Sequence, residues 1–292
     1  MKNLIYILII AFAIPLSGNA QKPYWELGFG AGISSYWGDL NSESFSDNFM
    51  NMNPAGNIHM RYNFGNFAAR GLLTIGKLKG SDANASDEIR KRRNLSFFTP
   101  ISEFSLLGEW NIFGFDPTDK ESIFTPFVAV GAGVLKFDPQ TEYQGQTIHL
   151  QALGTEGQGL PGYADRYKLT QFVIPMGGGV KFRLTRNIIG SVEMIGRATF
   201  TDYLDDVSTN YAPYEDLLTN NGALSANLSQ RIDEYNNLPE GSNAEFTDNT
   251  KRGGQDVNDY YFTIMINLSY NLGRKLVLGG RSSKKGASCP KF

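Results

Sequence analysis

The sequence predicts an all-β protein, an eight-stranded antiparallel transmembrane β-barrel of OmpA-like size with long extracellular loops and short periplasmic turns. Three observations carry this: hydrophobicity alternating with a period of two, connections alternating between short and long, and an export-type amino terminus on a chain with no membrane helix. The alternation is plainest from Gly190 to Phe200. Gly190, Val192, Met194, Gly196, Ala198 and Phe200 are apolar or glycine, whereas the odd positions include Ser191, Glu193, Arg197 and Thr199, and only Ile195 breaks the pattern. A helix repeats every 3.6 residues, so a period of two marks a strand with one apolar and one charged face. Lipid outside and a polar interior give a sheet that pattern.

The whole chain bounds the alternatives. With 292 residues, 13% aromatic, 32 glycines and a net charge of −2, it has room for one large all-β domain or two smaller ones, and it lacks the basic excess of a nucleic-acid binder. Lys2 precedes an apolar run from Leu4 to Leu16, followed by Ser17, Gly18, Asn19 and Ala20 before Gln21, which reads as a cleavable signal peptide. The residue directly after that cut is Gln21 and not a cysteine, so a lipid-anchored lipoprotein is not expected. No later segment supplies the roughly 20 apolar residues of a membrane helix, and a closed barrel is then the remaining way to span a bilayer. The expected division is a signal peptide over 1–20, a barrel over 21–272 and a polar tail over 273–292.

Taken in order, strand one runs from Tyr24 to Trp37, with Trp25, Leu27, Phe29, Ala31 and Ile33 opposite Glu26, Gly28, Gly30 and Gly32. Inward glycines fit a narrow barrel. Strand two sets Ile58, Met60, Tyr62 and Phe64 against Asn57, His59, Arg61 and Asn63; the turn Asn63 to Asn66 leads into strand three, with Ala69, Leu73 and Ile75 against Arg70 and Thr74. Strand four sets Phe104, Leu106, Trp110 and Ile112 against Glu103, Ser105, Glu109 and Asn111. Strand five, Phe124 to Phe137, is placed mainly by spacing because Gly131, Ala132 and Gly133 blur it. Strand six sets Phe172, Ile174, Met176, Val180 and Phe182 against Gln171, Lys181 and Arg183; strand seven is the segment ending at Phe200. The last strand alternates Tyr260, Phe262, Ile264, Ile266, Leu268, Tyr270 and Leu272 with Tyr261, Thr263, Met265, Asn267, Ser269 and Asn271.

Links after strands two, four and six are short. Those after one, three, five and seven are long, covering roughly 38–53, 80–97, 138–167 and 203–258. Turns at one end and loops at the other are the plan of an outer-membrane barrel, and an even strand number returns both mature termini to the periplasmic side. Tyr24, Trp25, Tyr36, Trp37, Phe64, Phe67, Phe97, Phe98, Trp110, Phe113, Phe124, Phe137, Tyr260 and Tyr270 lie near strand ends, where interfacial girdles form.

This register places Glu26, Glu103, Glu109 and Glu193 in the lumen with Arg61, Arg70, Lys181, Arg183 and Arg197. An unpaired buried charge costs several kcal/mol, so a salt-bridged plug is expected rather than a pore. The only histidines, His59 and His149, form no nucleophile motif with a serine and an acid, so no enzyme is expected. Asp202, Asp205 and Asp206 could gather a cation, although acids at a strand end are usually solvated; no metal or cofactor is expected. From Tyr214 to Tyr235, Leu217, Leu218, Asn221, Leu224, Leu228 and Ile232 recur at spacings of three or four and predict a short helix that caps the barrel or meets a partner. The run Arg90, Lys91, Arg92, Arg93 could meet lipopolysaccharide phosphates, or be solvated. Cys289, the sole cysteine, can pair only with another molecule or stay free.

Several segments resemble one family. SYWGDL at Ser35 to Leu40, IPMGGGVKF at Ile174 to Phe182, RATFTDYLDDVSTNY at Arg197 to Tyr211 and the terminal Cys289, Pro290, Lys291 and Phe292 look like the PorG family, outer-membrane barrels associated with the type IX secretion system. The most specific part is Thr201, Asp202, Tyr203, Leu204, Asp205 and Asp206, together with that terminus. The resemblance implies a non-enzymatic role in secretion and gliding, with a barrel tied to the periplasmic ring of the lipoprotein PorK and its partner PorN, and it brings no catalytic residues. The basic tail with Cys289 to Phe292 is then a candidate contact. The alternatives are a small porin or transporter, or a generic OmpA-like structural barrel.

Overall fold

Each alternating segment becomes one wall strand. The computed structural model describes residues 23–40, 52–243, 250–254 and 257–273. The signal peptide and the tail with Cys289, Pro290, Lys291 and Phe292 lie outside the described residues. Strands β1 (Tyr24–Trp37), β2 (Asn53–Phe64), β3 (Phe67–Ser81), β4 (Ser96–Asn111) and β5 (Phe124–Phe137) are followed by a small hairpin, β6 (Gln140–Tyr143) and β7 (Gln146–His149). Then come β8 (Thr170–Arg183), β9 (Ile188–Thr199) and β10 (Tyr260–Gly273). The wall runs β3-β2-β1-β10-β9-β8-β5-β4, and pairing of β3 with β4 closes it into an eight-stranded antiparallel barrel. The hairpin hangs from β4 through Phe98 opposite Gln140.

The alternation sorts side chains as expected. Phe29, Ile58, Ile75, Leu106, Val130, Met194 and Ile266 face outward and are exposed, while Glu26, Arg61, Arg70, Glu109, Lys181 and Glu193 are buried inside. On β3 the outward positions from Phe67 to Ile75 are apolar or glycine. That span matches the roughly 9–11 residues a tilted strand needs to cross a bilayer. The glycines of β1 follow from crowding. A Cβ at Gly30 would lie 1.9 Å from Asn267 Oδ1, and one at Gly28 would lie 2.4 Å from His59 Nε2. One wall is bare so that its neighbours can reach across the lumen.

The aromatic girdle needs correction. Trp37, Phe64, Phe67, Phe113, Phe124, Tyr260 and Tyr270 are exposed at the barrel surface, but Tyr24, Tyr36, Phe97 and Phe137 are buried. The buried four have inward parity, so proximity to a strand end does not place them at the lipid boundary. At the loop end the strands run on into a folded cap. Its core joins Tyr36, Leu78, Phe97, Leu135 and Phe137 from the strands to Leu40, Leu95, Leu150, Leu204, Val207 and Leu228 from the loops.

The cap has its own secondary structure. After a 3₁₀ turn at Asp82–Asn84 comes α1 (Glu88–Arg93). The stretch expected as one helix is three: α2 (Tyr214–Asn220), α3 (Ala223–Ser229) and α4 (Ile232–Asn236). Gly222 at φ 88° and the extended Gln230 interrupt it, and Leu217, Ala226 and Leu228 turn inward as cap core.

Candidate functional site

The lower lumen is organised around Glu109 on β4. Its Oε1 accepts from Arg61 Nε at 3.0 Å and lies 2.8 Å from Arg70 Nε; its Oε2 accepts from Lys181 Nζ at 2.7 Å. Arg70 Nη1 donates to Glu193 Oε2 at 2.6 Å, and Arg61 Nη1 to Glu26 Oε2 at 3.3 Å. Asn63 donates to the other Glu26 oxygen at 3.0 Å. His59 Nε2 lies 3.0 Å from Arg61 Nη1, so that nitrogen accepts and Nδ1 donates to Asn57 Oδ1 at 3.1 Å. Period two puts every one of these side chains on the inner face, and β2, β3 and β8 each supply one of the three cations around the carboxylate from β4.

Above this lies a dry layer of Leu72, Leu107, Phe127, Ala129 and Ile195. Ile195, the one break in the alternation from Gly190 to Phe200, supplies apolar mass to the lumen and not to the lipid face. A second ionic centre sits beyond it, where Glu103 Oε2 accepts from Arg197 Nε at 3.0 Å and also from the Tyr261 hydroxyl. Ser105 donates to the other Glu103 oxygen. Four acids and four bases are thus paired in two layers separated by an apolar plug. The expected ninth member, Arg183, is absent from this network: it sits at the turn end, where its Nη2 donates to the Lys120 carbonyl at 2.9 Å. The correction is one of height along the strand, since Arg183 has the right parity but lies at the mouth.

The segment Thr201 to Asp206 binds the cap to the rim. Thr99 Oγ1 donates to the Leu204 carbonyl at 2.7 Å, and the Leu204 amide donates to Asp259 Oδ2 at 2.8 Å. The Tyr36 hydroxyl lies 2.6 Å from Asp205 Oδ2 and 3.0 Å from Asp259 Oδ1. A phenol has one hydrogen to give, so one of these contacts needs a protonated carboxyl. Burial pushes Asp205 and Asp259 well above the usual carboxylate range, and nearby acids add to it, Asp39 for Asp205 and Asp205 itself for Asp259. Asp206 turns the other way. It accepts from Tyr167 at 2.6 Å and from Thr155, with Arg252 Nη2 at 3.7 Å, and burial still lifts it to about 6.

Tyr203 stacks on Tyr167 at 4.5 Å, with the ring planes 8° apart. Arg252 Nη1 donates to Glu156 Oε1 at 3.0 Å and Nε to the Ser229 carbonyl at 3.0 Å, tying the β5–β8 connection to the β9–β10 connection. The three aspartates therefore do not converge on a cation. Among the described residues no group of three or more His, Cys, Asp or Glu is placed to hold a metal. The basic run is also partly spent internally. Arg93 Nε and Nη2 hold Asp82, each at 2.7 Å, Arg90 Nη2 holds the Asp39 carbonyl at 2.8 Å, Lys91 pairs with Glu88, and Arg92 is exposed. Glu156, Arg252, Asp259 and Tyr36 are the cap residues that sequence reasoning missed. Tyr36 had a signal in its inward parity; the other three lie in loops without periodicity.

A closed antiparallel barrel with an apolar outer belt, an ion-paired lumen and its long connections folded over one end is a membrane-spanning barrel of the bacterial outer-membrane class. Residues 2–227 match the family described as Domain of unknown function (DUF6089), and the chain belongs to that family. No curated relative matches it. Among solved structures it is similar to Ail, the attachment invasion locus protein of Yersinia pestis, at 10% identity and a TM-score of 0.40, covering 86% of this chain and 100% of that one. Neisserial surface protein A is similar at 7% identity and a TM-score of 0.42, covering 86% and 100%. The outer membrane protein OprG of Pseudomonas aeruginosa is similar at 9% identity and a TM-score of 0.39, covering 88% and 99%. At such values no role passes from them to this chain.

Proposed function

We propose that the protein is a non-enzymatic outer-membrane component of the type IX secretion system, a closed barrel that anchors the periplasmic PorK and PorN ring. The observation that carries the anchor reading is the filled lumen. A pore needs a continuous water path, whereas here two paired charge layers enclose an apolar one and the cap covers the loop end. The type IX assignment is supported by the resemblance to the PorG family at Ser35 to Leu40, Ile174 to Phe182 and Thr201 to Asp206. In this reading the turns and both mature termini face the periplasm, the loops face outward, and the basic tail reaches the ring.

A pull-down tests it. An affinity tag belongs in the β6–β7 turn, where a Cβ at Gly145 would meet nothing within 4 Å. Mild-detergent purification with mass spectrometry, with and without reductant, is expected to recover the ring proteins, and an adduct lost in Cys289→Ser would place the contact at the tail. A barrel that purifies alone while secretion survives deletion of its gene ends the secretion reading and leaves a structural barrel.

A further inference from the structure

We propose that the β3–β5 face of the barrel, just above its apolar belt, binds the phosphates of lipid A in the surrounding leaflet. This rests on the outer-membrane reading with the loops facing outward. On β3 the lipid-facing row ends at Ile75 and continues as Lys77 and Lys79; on β5 it ends at Val134 and continues as Lys136. All three lysines are exposed. On β8, β10 and β1 the corresponding rim carries Phe172, Tyr260 and Trp37 instead. Cations therefore mark the lipid boundary on one side of the barrel and aromatic rings mark it on the other.

Register brings the lysines together. Lys77 lies opposite Pro100 of β4, and Ser102, two residues along, lies opposite Lys136 of β5. Two strand spacings, about 10 Å, separate the outer two strands, with the uncharged strip Phe98, Pro100 and Ser102 between them. Lys77 Nζ rests 3.8 Å from the centre of the Phe98 ring, which holds the ammonium at the boundary. The lysine ion pairs among the described residues belong to Lys91 and Lys181. Asp138, two residues beyond Lys136, is engaged by His149 Nδ1 at 2.7 Å and Gln140 Nε2 at 2.9 Å.

Three exposed ammonium groups that form no ion pair among the described residues concentrate positive charge at the rim and attract anions there. A headgroup bearing two phosphates on one disaccharide can engage β3 and β5 together, whereas a single phosphodiester reaches one side at a time. Rotatable ammonium groups bind phosphate as point charges and need no fixed fork geometry.

The full chain, delipidated in non-ionic detergent, is titrated with bisphosphorylated lipid A, dephosphorylated lipid A and phosphatidylglycerol, and bound lipid is counted by native mass spectrometry. At roughly fivefold per surface lysine, preference for the bisphosphorylated form is expected to be on the order of 100-fold. Lys77→Gln/Lys79→Gln/Lys136→Gln is expected to abolish it, and the turn-end control Lys120→Gln/Arg186→Gln to keep it. All five positions are exposed, so both variants are expected to retain the gel mobility of the closed barrel. Equal retention of both lipid A forms, equal retention of phosphatidylglycerol, or a preference that survives the triple variant overturns the proposal while leaving the barrel reading intact. A chain that does not insert into liposomes overturns both.

Discussion

Glu109 carries the largest share of the lumen's electrostatic balance. Its two oxygens face Arg61, Arg70 and Lys181, all buried, so Glu109→Gln strands cations that water cannot reach. Removing one partner of a buried pair costs about 3–5 kcal/mol, much of it the desolvation of the charge left behind. The expected outcome is a lower urea midpoint for the micelle-bound barrel. Arg183→Gln, outside the network, is expected to stay within about 0.5 kcal/mol of the parent. Equal midpoints for the two variants would show that water enters the lumen. Membership of the network was largely legible from period two, which assigned Glu109, Arg61 and Arg70 to one face. Who pairs with whom was not, because these three residues meet across strands β2, β3 and β4, and only the closed wall sets their distances.

At the scale of the element, the segment from Thr201 to Asp206 is a linker that the barrel rim and two loops hold in place. Its stability has an unusual sign with pH. Asp206 titrates at about 6 in the folded cap against an ordinary 3.8, so its contribution is complete below the ordinary value and is lost as pH rises through about 6. The difference is on the order of 3 kcal/mol. Asp205 and Asp259 push in the same direction. Amide hydrogen exchange across 203–209, corrected for the intrinsic rate, is expected to show weaker protection at pH 8 than at pH 5, and Asp206→Asn to flatten that dependence. Protection that instead strengthens with pH would mean that the Arg252 ion pair outweighs burial. The sequence marked this segment as distinctive but read its acids as a solvated or cation-gathering cluster. Their burial depends on Tyr36, Thr155 and Tyr167, residues as many as 169 positions away in the chain. The cap helix was likewise legible as a spacing pattern, while its division at Gly222 and Gln230 was not.

For the whole molecule, closure decides transport. In planar bilayers the protein is expected to show no stepwise conductance, and Glu193→Ala or Arg197→Ala is expected to lower stability without opening a steady pore, because the layer of Leu72, Leu107, Phe127 and Ile195 remains. Steady single-channel currents in the parent, altered by either replacement, would favour a transporter over an anchor.

The sequence by itself determined the eight wall strands, which face of each meets lipid except on the glycine-blurred Phe124 to Phe137 strand, the segregation of loops from turns, and the identity of nearly every charged residue in the lumen. These are local properties. Parity depends only on the neighbouring residue, and burial of one face follows from the solvent on each side. Tertiary structure alone decided the pairing partners, the exclusion of Arg183, the packing of Tyr36 and Phe137 into the cap core, and the folding of the described loop segments into one cap. It also decided the grouping of Lys77, Lys79 and Lys136. Those depend on height along the barrel axis and on register between strands distant in sequence, and a period of two carries no record of either.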